Sequence, residues 1–143
     1  MTSKLITRSI ALLMMSGLAS CNFTTTNSLI SSHGDDVETY MEDVITDFYA
    51  KKTDVLLERF DESINVKSEQ LDYLYKLQSD SPNLEDRKVV TRNKTTRNGK
   101  TFLTSIYHIP NDVGTEVVTV NVTTPEDKCC DLYGLNLNMQ FNQ

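Results

Sequence analysis

Residues 98–123 of this chain read NGKTFLTSIYHIPNDVGTEVVTVNVT, and this stretch decides the fold. It opens with Asn98-Gly99, two residues that tolerate a positive φ and are typical of a two-residue β-hairpin turn. Val118, Val120 and Val122 then recur at every second position, which is the period of a strand with one buried face. The stretch therefore predicts antiparallel strands joined by short turns.

Four strands are predicted in a continuous run. The first is β-branched and polar, so we expect it to be only weakly buried. In the last, the apolar positions change parity at Gly134, which predicts a β-bulge there. The four predicted strands are Lys88–Thr96, Thr101–Ile109, Glu116–Thr123 and Lys128–Met139.

Upstream of these strands the apolar residues recur with a helical period. A first helix is predicted from Val37 to Ala50, with Asp35 as its cap, and shorter helices are predicted to begin near Thr53 and Ser68. The first helix has an apolar face made of Val37, Tyr40, Met41, Val44, Ile45 and Phe48. Its opposite face is acidic and is expected in solvent, with Glu42, Asp43 and Asp47.

Helices that precede a run of antiparallel strands predict an α+β fold. Together with the kinked stretch Leu132-Tyr133-Gly134-Leu135, this element order resembles the nuclear-transport-factor-2-like, or cystatin-like, superfamily. The resemblance implies N-terminal helices packed on a curled four-stranded antiparallel sheet, a cone whose mouth can hold a ligand or an interface. The alternative, which we favour, is that large side chains such as Phe48, Phe60 and Leu74 fill the cone. The side chains expected to point into the cone are Val44, Ile45, Phe48, Ile106, Val118, Val120 and Leu137.

The N-terminus carries a targeting signal. A basic start precedes the apolar run Ile10–Leu18, which is far shorter than the roughly 20 residues that a membrane span requires. Leu18-Ala19-Ser20-Cys21 resembles the lipobox of bacterial lipoproteins. The resemblance implies cleavage before Cys21 and a diacylglycerol thioether on its sulfur. Asn22, in place of an aspartate, favours the outer membrane facing the periplasm.

These features divide the chain into three parts. Residues 1–20 are predicted to be the signal peptide, residues 21–36 a flexible polar tether, and residues 37–143 the α+β domain. The tether is predicted from a run of Thr, Ser and Asn without periodicity. After removal of the signal peptide, only the lipid on Cys21 would attach the domain to the membrane.

The charge balance excludes two classes of function. The chain has 14 basic and 20 acidic residues, and loss of residues 1–20 leaves 12 basic residues and a net charge of −8. A nucleic-acid binder needs a basic surface, and so does a protein that adheres to anionic lipid through its own charge. We expect the membrane, reached through the lipid, and an envelope protein as partners.

His108 and Asp112 are the candidate site residues. A histidine at the end of the second strand and a carboxylate in the next turn are the types that serve as a base and its orienter. The alternative is a histidine that is only exposed or hydrogen-bonded. The sequence has no nucleophile motif, no glycine-rich phosphate loop and no carboxylate at a clearly inward strand position, so we expect no enzyme, no cofactor and no metal.

Two further features of the strand region leave alternatives open. Lys88, Arg92 and Lys94 are expected on one face of a strand. There they contact an acidic partner or the lipopolysaccharide surface, or they only keep a hairpin solvated and resist edge-to-edge pairing. For Cys129-Cys130 we expect a buried Cys130 and a partly exposed Cys129, with a disulfide as the alternative.

Three functions compete at this point. The first is a non-enzymatic binding or interaction lipoprotein of the cell envelope. The second is a small-molecule enzyme of the isomerase or dehydratase type that uses the mouth of the cone. The third is an inhibitor or immunity-type protein.

Overall fold

A computed structural model describes residues 22–25, as backbone alone, and residues 34–143. The described part has an α+β architecture, as predicted, with three helices followed by four long antiparallel strands and a short strand that precedes them. The helices are α1 (Val37–Tyr49), α2 (Thr53–Arg59) and α3 (Ser68–Leu77). The strands are β1 (Asn22–Thr25), β2 (Lys88–Arg97), β3 (Lys100–Pro110), β4 (Gly114–Thr123) and β5 (Asp131–Phe141).

Each strand pairs with its neighbour in the chain, so the sheet order is β1-β2-β3-β4-β5. The sheet is open, because β1 and β5 form its two edges. The predicted turn at Asn98-Gly99 is confirmed: both residues have positive φ angles, 52° and 74°, as a two-residue hairpin requires.

The N-terminal predictions fall largely outside the described residues. This applies to the signal peptide, to the lipobox with Cys21, and to most of the tether. Within the predicted tether, however, β1 pairs with β2, so that Asn22 lies opposite Thr96 and Thr25 lies opposite Asn93. In the described part of the chain, no helix is long and apolar enough to cross a membrane.

Helix α1 begins at Val37, as predicted, but its N-cap lies one residue later than expected. Asp36, not Asp35, accepts hydrogen bonds from the Glu38 amide at 3.0 Å and from the Thr39 hydroxyl at 2.9 Å. The side chain directly before the first helical residue is the one that reaches the free amides of the first turn. Glu38, in the first turn of the helix, pairs with Arg92 of β2.

The core lies between the helices and one face of the sheet. Six of the seven side chains predicted to point inward are buried: Val44, Ile45, Phe48, Val118, Val120 and Leu137. The prediction for Ile106 is wrong, because β3 buries the alternate set Leu103, Ser105, Tyr107 and Ile109. This strand has apolar residues at both parities, so only its register with β4, which places Tyr107 opposite Val118, selects the buried face.

Two β-bulges change which side chains share a face. The bulge predicted at Gly134 is confirmed: Asn121 lies opposite Gly134 and Val122 opposite Leu132, which leaves one extra residue between them.

A second bulge interrupts the register of β2 at Val90. It reverses the alternation of side chains, so Lys88 lies on the face opposite to Arg92 and Lys94. The prediction that these three cations share one face is therefore wrong.

Gly114, at the start of β4, is required by close backbone packing. A Cβ atom at this position would lie 1.9 Å from the carbonyl oxygen of Gln140 in β5. We expect Gly114→Ala to lower the free energy of unfolding by about 1–3 kcal/mol, because β4 and β5 must separate to make room for the added Cβ. Urea denaturation measures this.

Gly134→Ala is the matched control. Its added Cβ would meet only the Asn121 side chain, at an ordinary 3.5 Å. We expect little loss of stability, and equal losses in the two variants would contradict the proposed role of Gly114.

Candidate functional site

The space between the helices and the sheet, where the cone mouth was expected, is filled. Met41, Phe48, Leu56 and Tyr107 are fully buried there, together with the valines of β4. A cleft of about 170 Å³ remains where α3 meets β5, lined by Phe60, Ile64, Val66, Gln70, Leu71, Leu74, Tyr133, Gly134 and Leu135. Its lining is mostly apolar and includes no group that transfers protons near neutral pH.

A buried carboxylate lies on this inward side, against expectation. Glu116 of β4 has no exposed surface, and it accepts hydrogen bonds from the amide and the hydroxyl of Ser79, both at 3.0 Å. The side-chain amide nitrogen of Asn111 (Nδ2) donates to the same carboxylate at 3.3 Å. The prediction that no inward strand position holds a carboxylate is therefore wrong.

The burial of Glu116 could have been predicted from the sequence. Glu116 has the same parity as Val118 and Val120, so the alternation that predicted their burial applied to it as well. Because three donors occupy the carboxylate, it ties the segment after α3 to the sheet. Burial, and then the charge of Glu116, raise the pKa of the neighbouring Tyr49.

Asp47 is a second acid for which the predicted exposure is wrong. It was expected in solvent, but it is 7% exposed and pairs with Arg59 of α2 at 2.8 Å and with Lys52 at 3.1 Å. Burial would raise the pKa of Asp47, but hydrogen bonds from Lys52 and Arg59 outweigh it and lower that pKa. The Arg59 guanidinium also lies over the Tyr40 ring, 5.1 Å from its centroid. The cluster joins α1 to α2.

The structure does not bring His108 and Asp112 together as a pair. His108 is half-buried on the sheet face turned away from the helices, in register with Lys88 and Val117. Asp112 is exposed and accepts a hydrogen bond from the Ser81 hydroxyl at 2.7 Å. No hydrogen bond joins the two side chains in the described part of the chain.

A groove of about 620 Å³ lies on that same outer face, at the hairpin end of the sheet. We call it the outer groove. Its β3 residues Phe102 and Thr104 alternate with the buried Leu103 and Ser105, which places them on the face away from the helices. The lining residues are Thr95, Arg97, Asn98, Lys100, Phe102, Thr104, Asn121 and Tyr133.

The outer groove combines aromatic, cationic and amide groups. The rings of Phe102 and Tyr133 meet edge to face, with centroids 4.9 Å apart. The ammonium of Lys100 lies 5.0 Å from the Tyr133 centroid and pairs with Asp61 at 3.1 Å. Arg97 has no ion-pair partner among residues 34–143, so its guanidinium is available to a ligand.

Asp61 holds the position of Lys100. Hydrogen bonds from the Ser63 hydroxyl and amide, and then from Lys100, lower the pKa of Asp61 to about 2. The carboxylate is therefore charged throughout the physiological range, and it orients the lysine at the rim of the groove.

Sequence reasoning identified this hairpin but not the groove. Tyr133 reaches the groove from the bulge of β5, so its position follows from a register shift rather than from alternation. The residues of the aromatic pair are 31 positions apart in the chain, and no local sequence pattern predicts such a contact.

The two cysteines beyond β4 are free thiols in the structure, Cys130 buried and Cys129 partly exposed. Burial raises the pKa of the Cys130 thiol well above its usual range, so this sulfur is held as a neutral apolar group.

No group of three His, Cys, Asp or Glu side chains within the described residues is arranged to hold a metal ion.

The chain matches no protein-family model, no curated protein and no solved structure. Its function is therefore argued from its own residues.

The role of Glu116 is testable by truncation. Glu116→Ala removes the acceptor for the Ser79 and Asn111 donors, so we expect a loss of about 2–4 kcal/mol in the free energy of unfolding. Thermal and urea denaturation measure it. Glu85→Ala, at an exposed acid, is the control and should change stability little. A stable Glu116→Ala protein would remove the structural role given to this carboxylate.

Proposed function

We propose that this chain is a lipid-anchored bacterial envelope lipoprotein whose domain is a non-enzymatic binding module, with the outer groove as its binding site. The signal segment and the lipobox ending at Cys21 support the anchor. The partners proposed are the membrane, through the N-terminal lipid, and a component of the envelope. The proposed location is the outer membrane, with the domain in the periplasm.

The observation that carries the binding function is the composition of the outer groove. It offers aromatic rings, amides, hydroxyls and a free guanidinium, which are the groups that bind and orient a polar ligand. Its lining has no nucleophilic cysteine, no histidine and no carboxylate, which are the groups that general acid–base and covalent catalysis most often use. Binding is therefore the chemistry that these residues support best.

We further propose that the domain is a member of the nuclear-transport-factor-2-like, or cystatin-like, superfamily. Three helices followed by an antiparallel sheet in sequential order support this relation, and so does the bulge near Gly134 in the last strand. In this proposal the core fills the cone, and the ligand site lies on the opposite face of the sheet.

The alternative enzyme function has one observation in its favour. Glu116 is a buried inward carboxylate with Tyr49 beside it, and carboxylates and tyrosines are among the groups that act as general acids and bases. Three hydrogen-bond donors already occupy that carboxylate, however, and the adjacent core is filled. A base needs a lone pair that faces a bound substrate, and the packed side chains around Glu116 leave no space for one, so this arrangement favours a structural role.

The anchor is tested by replacing its sulfur. We expect Cys21→Ser to abolish incorporation of labelled palmitate and to release the protein from membranes, because the acyl chains supply the hydrophobic attachment. Membrane fractionation and intact mass measure both. Cys129→Ser is the control and should remain lipidated. Labelling that persists in Cys21→Ser would reject the lipobox.

Binding and catalysis are separated by a second pair of variants. In a strain where deletion of the gene causes a measurable growth defect, we expect Tyr133→Ala to fail to restore growth, because it removes half of the aromatic pair in the outer groove. His108→Ala should restore growth fully. Circular dichroism and protein level confirm that both variants fold.

The opposite result would favour the enzyme. If folded His108→Ala fails while Tyr133→Ala restores growth, the candidate base matters and the outer groove does not.

A further inference from the structure

The short strand β1 places Asn22, the residue that follows the proposed anchor, beside the outer groove. Asn22 lies opposite Thr96, next to the groove residues Thr95 and Arg97. Cys21 precedes Asn22, and consecutive Cα atoms are about 3.8 Å apart. A lipid on Cys21 is therefore attached within one residue of the sheet, rather than at the end of a 16-residue tether as the sequence predicted.

We propose that the outer groove binds the anionic headgroup of a phospholipid in the membrane that carries the anchor. The inference rests on lipidation of Cys21, and it names the ligand class for the proposed binding site. With the acyl chains inserted at Cys21, the hairpin end of the sheet is held at the headgroup layer, which is roughly 5–8 Å thick on each side of the bilayer.

The groups in the outer groove match such a headgroup. The guanidinium of Arg97 suits a phosphate, because its planar donors bind two oxygens at once. The amides of Asn98 and Asn121 suit headgroup hydroxyls. Tyrosine rings such as that of Tyr133 are enriched at the depth of the headgroups, where one side is apolar and the other is wet. The Phe102 ring packs against Tyr133.

The neighbouring groove is less suited to an anion. It has a volume of about 540 Å³, lies on the other side of the same hairpin, and includes the carboxylates of Asp61 and Glu126. The outer groove has no carboxylate in its lining. The distribution of charge around the hairpin therefore directs a phosphate to the Arg97 side.

The acidic charge of the whole chain is compatible with this contact. A free domain with a net charge of −8 is repelled by an anionic surface, and we expect it not to bind one. An anchored domain needs no affinity from its overall charge, because the lipid raises the effective concentration of headgroups at the groove to the millimolar range or above. A weak and local interaction then suffices to orient the domain.

Site-specific photo-crosslinking tests the contact. The mature chain, with Cys21→Ser and an N-terminal hexahistidine tag, contains every described residue and is held on vesicles by a nickel-chelating lipid. A benzophenone side chain is introduced at Thr95, in a second protein at Asn121, and in a third at Glu69 on α3, away from the groove. Vesicles contain phosphatidylcholine alone or with phosphatidylglycerol, and mass spectrometry detects the crosslinked lipid.

We expect crosslinks to phosphatidylglycerol from Thr95 and Asn121 but not from Glu69. Arg97→Gln should reduce them about fivefold, the factor for one basic side chain near an anionic surface. Lys76→Gln, at an exposed lysine of α3 without an ion-pair partner in the described residues, should leave the yield unchanged. Equal crosslinking from Glu69, no preference for phosphatidylglycerol, or an unchanged yield in Arg97→Gln would overturn the proposal.

The tag makes this result independent of natural lipidation. Intact mass of the wild-type protein from cells reports the lipid on Cys21 separately. If that lipid is absent while the tagged chain still crosslinks, the anchor fails and the groove chemistry stands. If the lipid is present and the groove does not crosslink, the anchor stands and the headgroup inference fails.

Discussion

The packing of α1 on one face of the sheet is the constraint on which the rest of the structure depends. Val44, Ile45 and Phe48 project from the helix onto the buried side of β3, β4 and β5. Burial of such side chains contributes about 1.5–3 kcal/mol each, which exceeds what any exposed ion pair of this domain supplies. Once this face is covered, strand alternation leaves the other face of the sheet open to solvent.

Ion pairs then orient helix α1 on the sheet, to which the apolar core attaches it. Glu38 of α1 pairs with Arg92 within β2, and Glu42 pairs with Arg87 just before β2; these four side chains are about one-third exposed. Pairs of this kind contribute little stability but set the direction of the helix across the strands. The buried Glu116 differs, because removal of its partners would leave a charged group without compensation in the core.

The proposed binding site lies on the surface that the core leaves free. The filled core leaves no room for a ligand of ordinary size, so the groups proposed to bind one lie on the outer face. There a bulge turns Tyr133 towards Phe102, and the hairpin carries Arg97 and Lys100 to the rim. The pairing of β1 with β2 adds a second consequence, because it ties the proposed site to the end of the chain that would carry the lipid.

The local features of this fold follow from the sequence alone. Asn98-Gly99 can form a hairpin turn without strain, and the period of 3.6 in α1 and of 2 in β4 identifies each element and most of its buried residues. The signal segment and Cys21 are likewise a local pattern, and lipidation at Cys21 stays a prediction.

Tertiary structure decided the features that depend on register and on distant partners. Pairing with β4 selects the buried face of β3, the bulge at Val90 separates Lys88 from Arg92, and contacts with Ser79 and Asn111 stabilise a buried Glu116. The aromatic pair of the outer groove belongs to the same group. Short-range periodicity reports how a segment folds, but the choice between two faces of a strand is made by the free energy of packing against other segments.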